Sequence, residues 1–170
     1  MVDSIKKLES CGADCIVMPC NTAHCFMPRL RDRFTTATFL DMIEVTAEAC
    51  AKRYPGKKAG ILGTVKTIES GLYRDSLARL GEGSVDPDAG GKALLMEMIF
   101  GIKAGIAYSD PDPFDDMLRD MRDRGAEYFI LGCTELPIII GQLGITGTFV
   151  DAAVEVAKAA IAFCGYPVKG

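Results

Sequence analysis

Short apolar runs alternate with amphipathic stretches along the chain, a pattern that predicts βαβ units and a parallel sheet. The runs predict strands at Asp14–Met18, Thr36–Leu40, Lys58–Leu62, Tyr128–Leu131 and Thr146–Val150. The amphipathic stretches predict helices at Ser4–Cys11, Met42–Tyr54, Thr67–Leu80, Lys92–Ala104, Pro113–Arg124 and Ala152–Phe163. The segment Gly81–Gly91 has no periodicity and predicts a loop. We therefore expect an α/β fold.

One segment of the chain occurs twice. Gly12–Cys20 (GADCIVMPC) aligns without gaps on Gly125–Cys133 (GAEYFILGC), and a charged amphipathic helix is predicted before each copy. The shared unit is therefore a helix, a Gly turn, a buried strand and a cysteine. Because ligands of open α/β sheets bind at the carboxyl ends of the strands, both cysteines are predicted to lie at a ligand-binding edge.

The residues that follow each cysteine, in Cys20–Thr22 and Cys133–Glu135, are polar, and a helix is predicted to begin there. Free N–H groups at a helix start favour a thiolate, so a lowered pKa is expected for both thiols. If one thiolate removes a Cα proton and the opposite thiol returns one, the stereocentre inverts. The two sulfurs would then lie roughly 7–8 Å apart. The alternative is that both cysteines are small buried hydrophobes.

Composition narrows the function classes. The chain has 170 residues and a net charge of -4, with basic and acidic residues intermixed, so no basic stripe marks a nucleic-acid face. The longest uncharged stretch, Leu136–Val150, is too short and too interrupted to span a membrane. Seven cysteines without CxxC pairing, behind an N-terminus that lacks a signal-peptide pattern, indicate a reducing compartment. We expect a cytoplasmic protein.

Two binding classes fit the sequence poorly. The candidate ligands of a zinc site would be Cys11, Cys15, Cys20, His24 and Cys25, but their spacings are not those of zinc knuckles or ribbons. The chain also has neither of the glycine-rich motifs of nucleotide-binding folds. The cysteines expected to fill the core are Cys11, Cys15, Cys25, Cys50 and Cys164.

Three motifs resemble those of the aspartate/glutamate racemase family: PCNTAH at Pro19–His24, GTVKT at Gly63–Thr67 and LGCTELP at Leu131–Pro137. The resemblance extends over most of the chain. It implies an amino-acid racemase that uses no cofactor, neither pyridoxal phosphate nor a metal. It also implies two pseudo-symmetric, Rossmann-like parallel-sheet domains with the active site in the cleft between them. We assign residues 1–56 and 141–170 to the first domain and residues 57–140 to the second.

The resemblance also implies roles for individual residues. Cys20 and Cys133 would be the paired acid/base residues. The residues implied to bind the α-carboxylate or amino group are Asn21, Thr22, Thr64 and Thr134. Glutamate racemases usually carry His where this chain has Glu135, which indicates the aspartate-type branch.

Four further residues have two interpretations each. Thr67, like Thr64, is a candidate for substrate contact or for a helix-capping hydroxyl. Glu135 is a candidate for substrate contact or for a first-turn helix carboxylate. Lys92 is a candidate for binding a side-chain carboxylate, or a solvated lysine at a helix start. His24, the only histidine, could polarise Cys20 or simply cap and pack.

The resemblance leaves alternatives open. Maleate isomerases, hydantoin racemases and arylmalonate decarboxylases share the fold, although the decarboxylases typically retain one active-site cysteine. A non-catalytic remnant that binds a small acid or a partner chain belongs to a different class. The expected partner is a small amino acid, with neither nucleic acid nor membrane.

Family members begin with a strand, a Gly-rich loop, a helix and a second strand, and we expect this chain to lack that opening. The strand Asp14–Met18 would then be an exposed edge. Either another copy covers the edge, giving a homo-oligomer, or the chain alone is inactive or severely impaired; we favour the second.

Overall fold

The computed structural model describes residues 1–168, and its strands form two parallel sheets. In the smaller sheet β1 (Cys15–Val17) pairs with β2 (Thr38–Leu40). The strands of the larger sheet are β3 (Ala59–Gly63), β4 (Ser84–Val85), β5 (Tyr128–Gly132) and β6 (Phe149–Asp151), in the spatial order β4-β3-β5-β6. Every pair of neighbouring strands is parallel, which confirms the predicted α/β class.

Helices connect these strands. They are α1 (Val2–Ser10), α2 (Met27–Leu30), α3 (Met42–Arg53), α4 (Val65–Glu69), α5 (Leu72–Arg79), α6 (Ala89–Lys103), α7 (Asp112–Asp123), α8 (Leu136–Leu143) and α9 (Ala152–Phe163). Two short 3₁₀ helices, Thr22–Phe26 and Arg31–Arg33, flank α2. Polar side chains cap several helix starts; Asp41, for example, accepts hydrogen bonds from Ile43 and Glu44 N–H at the start of α3.

Two predicted elements were wrong in detail. The helix predicted over Thr67–Leu80 is divided into α4 and α5 because Gly71 lies between them with φ +71°, a conformation that favours glycine. The segment Gly81–Gly91 is not entirely a loop, since it contains β4 and the start of α6. A strand of two residues is too short to leave a recognisable alternation.

The repeated sequence unit is also a repeated structural unit. Gly12 and Gly125 both end a helix with positive φ, +81° and +100°, and a strand begins three residues after each of them. Cys133 follows β5 directly, whereas β1 ends at Val17 and an irregular turn separates it from Cys20. The prediction of a helix, a Gly turn, a strand and a cysteine is therefore confirmed for both copies.

Two hydrophobic clusters hold the layers together. The larger cluster surrounds β3 and β5, whose residues are all buried, and it includes Met42, Ala47 and Cys50 of α3. The smaller cluster packs Ile5 of α1 against Ile16 of β1, together with Met27, Leu30 and Ala37. Helix α9 contacts both sheets, as well as α3.

The proposed division into domains stays a prediction. Strand β6 lies beyond residue 140, yet it pairs with β5 and so belongs to the larger sheet. Among residues 1–168, β1 has β2 as its one strand partner, and Val17 and Leu8 beside it are 38% and 46% exposed.

The expectation that five cysteines fill the core was wrong for most of them. Cys50 is buried, Cys15 and Cys25 are half-buried, and Cys11 and Cys164 are exposed, because the last two lie at helix C-termini. Within residues 1–168, no helix combines the length and the apolar character needed to cross a membrane.

Candidate active site

The predicted site residues follow the carboxyl ends of β1, β3 and β5. Cys20 comes after β1, Thr64 after β3 and Cys133 after β5. Cys20 is exposed and Cys133 is half-buried. As predicted, a helix begins after each cysteine, but the one after Cys20 is a 3₁₀ helix.

Three threonine hydroxyl groups form a closed hydrogen-bonded ring. Thr22 Oγ1 lies 2.9 Å from Thr64 Oγ1 and 3.0 Å from Thr67 Oγ1, and the last two atoms are 3.0 Å apart. Thr64 also caps α4, because its hydroxyl accepts the Thr67 N–H at 3.2 Å. Thr67 is 1% exposed. The ring joins the turn that carries Cys20 to the end of β3.

The second cysteine belongs to a polar network. The Cys133 thiol donates to Glu135 Oε2 at 2.8 Å, Lys103 Nζ lies 2.8 Å from Glu135 Oε1, and the Thr134 hydroxyl donates to Oε2 at 3.2 Å. Although burial opposes its ionisation, the hydrogen bonds from Cys133 and Lys103 lower the pKa of Glu135. The network therefore contains a carboxylate.

The expectation of a lowered pKa was wrong for Cys133. Burial of the thiol, followed by its hydrogen bond to Glu135, raises the pKa of Cys133 to about 12. Desolvation and a neighbouring negative charge both favour the neutral thiol over the thiolate. At neutral pH Cys133 is therefore a proton donor.

Lys103 lies beside the second cysteine loop. Its hydrogen bond with Glu135 raises the pKa of Lys103, and negative charge on the sulfurs of Cys133 and Cys20 acts in the same direction. The Lys103 ammonium group is therefore held next to Glu135, the carboxylate that accepts the Cys133 thiol. The predicted sulfur–sulfur distance stays a prediction.

Buried polar side chains hold the Cys20 turn. His24 is 1% exposed; its Nδ1 lies 2.9 Å from the Cys20 carbonyl oxygen and its Nε2 accepts the Met42 N–H at 3.2 Å. Because Nε2 accepts, the single ring proton is on Nδ1 and is donated to Cys20. Asn21 is 4% exposed, and its Oδ1 accepts the Tyr73 hydroxyl at 2.5 Å. His24 thus contacts the Cys20 backbone and not its thiol.

Residues 1–161 match the family model described as Asp/Glu/Hydantoin racemase. The chain belongs to this family. The broad specificity amino-acid racemase RacX of Bacillus subtilis (strain 168) is 27% identical over 161 residues, which are 95% of this chain and 69% of RacX. The glutamate racemase of Roseiflexus sp. (strain RS-1) is 30% identical over 86% of this chain and 55% of its own length.

Solved structures agree with this racemase-family assignment. The aspartate racemase of Picrophilus torridus superimposes with a TM-score of 0.75 and 28% identity, over 98% of this chain and 69% of that chain. The chain therefore spans about half to two thirds of the length of these three racemases.

Sequence analysis singled out Lys92 and missed Lys103, the lysine that pairs with Glu135 in the candidate site. Lys92 lies 3.5 Å from Glu69, and no hydrogen bond or ion pair within residues 1–168 joins it to another candidate site residue. Lys103 lies eleven positions further along α6, roughly 16 Å away at the rise of an α-helix. Its place at the end of a helix before a loop carries no sequence signal, since cations are common in last turns.

Tyr73 was the other residue that sequence analysis missed. It lies on α5, outside the three motifs that carried the resemblance, and is 1% exposed. A buried tyrosine within an amphipathic helix is ordinarily a core residue, so the sequence contains no signal that its hydroxyl meets Asn21. Within residues 1–168, no group of three or more His, Cys, Asp or Glu residues is arranged to hold a metal ion.

Proposed function

We propose that this chain is a cofactor-independent amino-acid racemase that interconverts the D and L forms of aspartate or glutamate. The observation that carries the proposal is the duplicated unit, which places a thiol after a parallel strand in each half of a racemase-family fold. Cys20 and Cys133 are the proposed acid/base pair. Pyridoxal phosphate is not required, because two thiols can supply and accept the protons.

In one direction Cys20 accepts the Cα proton and the neutral thiol of Cys133 protonates the opposite face. The raised pKa of Cys133 suits it for the donor role, since its proton is in place at neutral pH. Lys103 lies near the thiolate that Cys133 becomes. In the reverse direction Cys20 is the donor and Cys133 the acceptor.

The developing carbanion needs donors aimed at the substrate carboxylate, because a thiolate is a weak base for a Cα proton. The proposed donors are Asn21, Thr22, Thr64 and Thr134. Each threonine hydroxyl has one proton. On binding, Thr22 and Thr64 turn this proton from the ring to the substrate, and Thr134 turns it from Glu135. Thr67 is the buried member of the threonine ring, so it acts on the substrate through its hydrogen bonds to Thr22 and Thr64.

The side-chain carboxylate of the substrate requires a cation. Lys103 supports an acidic substrate, because its ammonium group lies beside Glu135 and the Cys133 thiol. Glu135 already pairs with this ammonium, so substrate and Glu135 share it. A broad substrate range is the second candidate, because one relative is a broad specificity amino-acid racemase.

The test measures racemisation of both enantiomers of aspartate, glutamate and neutral amino acids by the purified chain, using chiral chromatography. Cys20→Ser and Cys133→Ser should each abolish racemisation, whereas Cys164→Ser, an exposed cysteine at the end of α9, should retain it. Added pyridoxal phosphate should change nothing. Racemisation at near wild-type rate in either of the first two variants contradicts the mechanism. No racemisation by the wild type contradicts the proposed function of this chain and agrees with the expectation that the chain alone is inactive or severely impaired.

A further inference from the structure

The buried side chain of Tyr73 lies beside both cysteine loops. Its hydroxyl donates a 2.5 Å hydrogen bond to Oδ1 of Asn21, the residue after Cys20. Its ring lies near Gly132, the residue before Cys133, where an added Cβ would be 3.4 Å from Tyr73 Cε2. One buried side chain therefore lies beside the sequence neighbour of each proposed acid/base residue.

The contact with Tyr73 determines which way the Asn21 amide faces. A side-chain amide has one acceptor oxygen and one donor NH₂ group. Burial raises the pKa of Tyr73 far above its ordinary value, so its hydroxyl keeps the proton and donates it. Because Asn21 Oδ1 accepts this proton, the NH₂ group is directed to the opposite side.

That NH₂ group is available to a ligand. Among residues 1–168, Asn21 Nδ2 makes no hydrogen bond, while the Tyr128 hydroxyl is the one fully buried side-chain polar atom that lacks a partner. Asn21 Nδ2 therefore keeps some contact with solvent. A fixed donor beside Cys20 is what a substrate carboxylate requires.

We propose that Tyr73 is a positioning residue, which holds the Asn21 amide so that its NH₂ group donates to the substrate carboxylate. The inference rests on the proposed function, because this donor matters to catalysis only if an amino acid binds beside Cys20. Tyr73 itself contacts no substrate. It acts through Asn21.

The first measurement follows the Asn21 side-chain amide by ¹⁵N NMR, with its signals assigned from their loss in Asn21→Asp. In Tyr73→Phe the two NH₂ resonances should shift toward those of a free asparagine, and their exchange with solvent should become faster. Tyr128→Phe is the matched control, since it removes another buried hydroxyl, one without a hydrogen-bond partner. Unchanged Asn21 signals in Tyr73→Phe would overturn the proposal.

The second measurement is kinetic. Tyr73→Phe should raise KM by about tenfold, the factor that one hydrogen bond contributes to binding, with a smaller change in kcat. Asn21→Asp keeps an acceptor for Tyr73 but removes the donor, so it should raise KM at least as much. In an Asn21→Ala background, Tyr73→Phe should add no further rise; an equal, additive rise would show that Tyr73 does not act through Asn21.

The two measurements separate the two hypotheses. If the wild-type chain does not racemise any amino acid, the proposed function fails, and the amide spectrum still decides whether Tyr73 holds Asn21. If the wild type racemises and Tyr73→Phe matches Tyr128→Phe in both KM and spectrum, the positioning role fails and the function stands.

Discussion

The thiol of Cys133 donates a 2.8 Å hydrogen bond to the carboxylate of Glu135, two residues further along the chain. The same carboxylate is held from the other side by Lys103, also at 2.8 Å. Burial and the bond to Glu135 together raise the pKa of the thiol to about 12. Burial and a short local contact therefore together keep one of the two cysteines protonated at neutral pH.

Glu135→Gln should lower the pKa of Cys133, because a neutral amide does not repel the thiolate as a carboxylate does. Each unit of lowered pKa gives about tenfold more thiolate at neutral pH, so alkylation of Cys133 by iodoacetamide should be faster. The rate is measured at pH 8 by mass spectrometry of the peptide that contains Cys133. Glu127→Gln is the control, because it changes an exposed carboxylate at the opposite end of β5 from Cys133. Equal or slower alkylation in Glu135→Gln would contradict this assignment.

Substitutions of Lys92 and Lys103 show which lysine of α6 binds the side-chain carboxylate of the substrate. Lys103→Gln should lower kcat/KM for aspartate by about tenfold or more, because it removes the cation that pairs with Glu135 beside the Cys133 thiol. Lys92→Gln should change kcat/KM little, since Lys92 faces Glu69. Steady-state racemisation of L-aspartate by the two variants provides the comparison. A larger loss at Lys92 would restore the sequence-based assignment.

The carboxylate of Glu9 should make the free energy of unfolding depend on pH in the acidic range. Its carboxylate accepts the backbone N–H groups of Thr35, Thr36 and Ala37, and these bonds lower its pKa from 4.5 to about 2. A carboxyl group whose pKa is lower in the folded state than in the unfolded chain stabilises the fold at every pH above its unfolded-state pKa. This stabilisation is lost as the pH falls through its folded-state pKa. Glu9→Gln should therefore be less stable than the wild type at pH 7, and the difference should shrink between about pH 4.5 and pH 2.

Urea unfolding at several pH values measures this dependence. Glu48→Gln is the control, because the Glu48 side chain is exposed and makes no hydrogen bond or ion pair within the described part of the chain. A stability difference between Glu9→Gln and the wild type that does not vary with pH would contradict the prediction.

Two glycine substitutions should have opposite effects on stability. In Gly60→Ala the new Cβ would lie 2.3 Å from Phe129 Cδ1 on the neighbouring strand, so overpacking should destabilise the fold by about 1–3 kcal/mol. Gly141 is an exposed helical residue of α8, and an added Cβ there meets nothing within 4 Å. Gly141→Ala should stabilise by about 0.4–1 kcal/mol, because it lowers the entropy of the unfolded chain.

Thermal and urea unfolding of both glycine variants give the sign of each change. The comparison is internal, since the chemical change is the same at the two positions. A stable Gly60→Ala variant would show that the Phe129 ring can move aside.

Local sequence pattern was sufficient to predict the α/β class and the repeated unit. Buried strands, amphipathic helices and turn glycines such as Gly12 and Gly125 are specified by short-range periodicity and backbone conformation. The helix predicted at Ala152–Phe163 has those bounds in the structure, and Met42–Tyr54 is one residue longer than α3. Motif spacing likewise singled out Cys20 and Cys133.

The partners of individual side chains, and the pKa of Cys133, depended on the tertiary structure and could not be read from the sequence pattern. Lys103 pairs with Glu135 beside the Cys133 thiol, whereas Lys92 pairs with Glu69, and Tyr73 meets Asn21 across 52 positions of sequence. The pKa of Cys133 was expected to be low from the helix start alone, yet desolvation and Glu135 raise it. Burial and long-range contacts depend on where the chain folds back on itself, and a periodic pattern records only which residues are apolar, not which partners they meet.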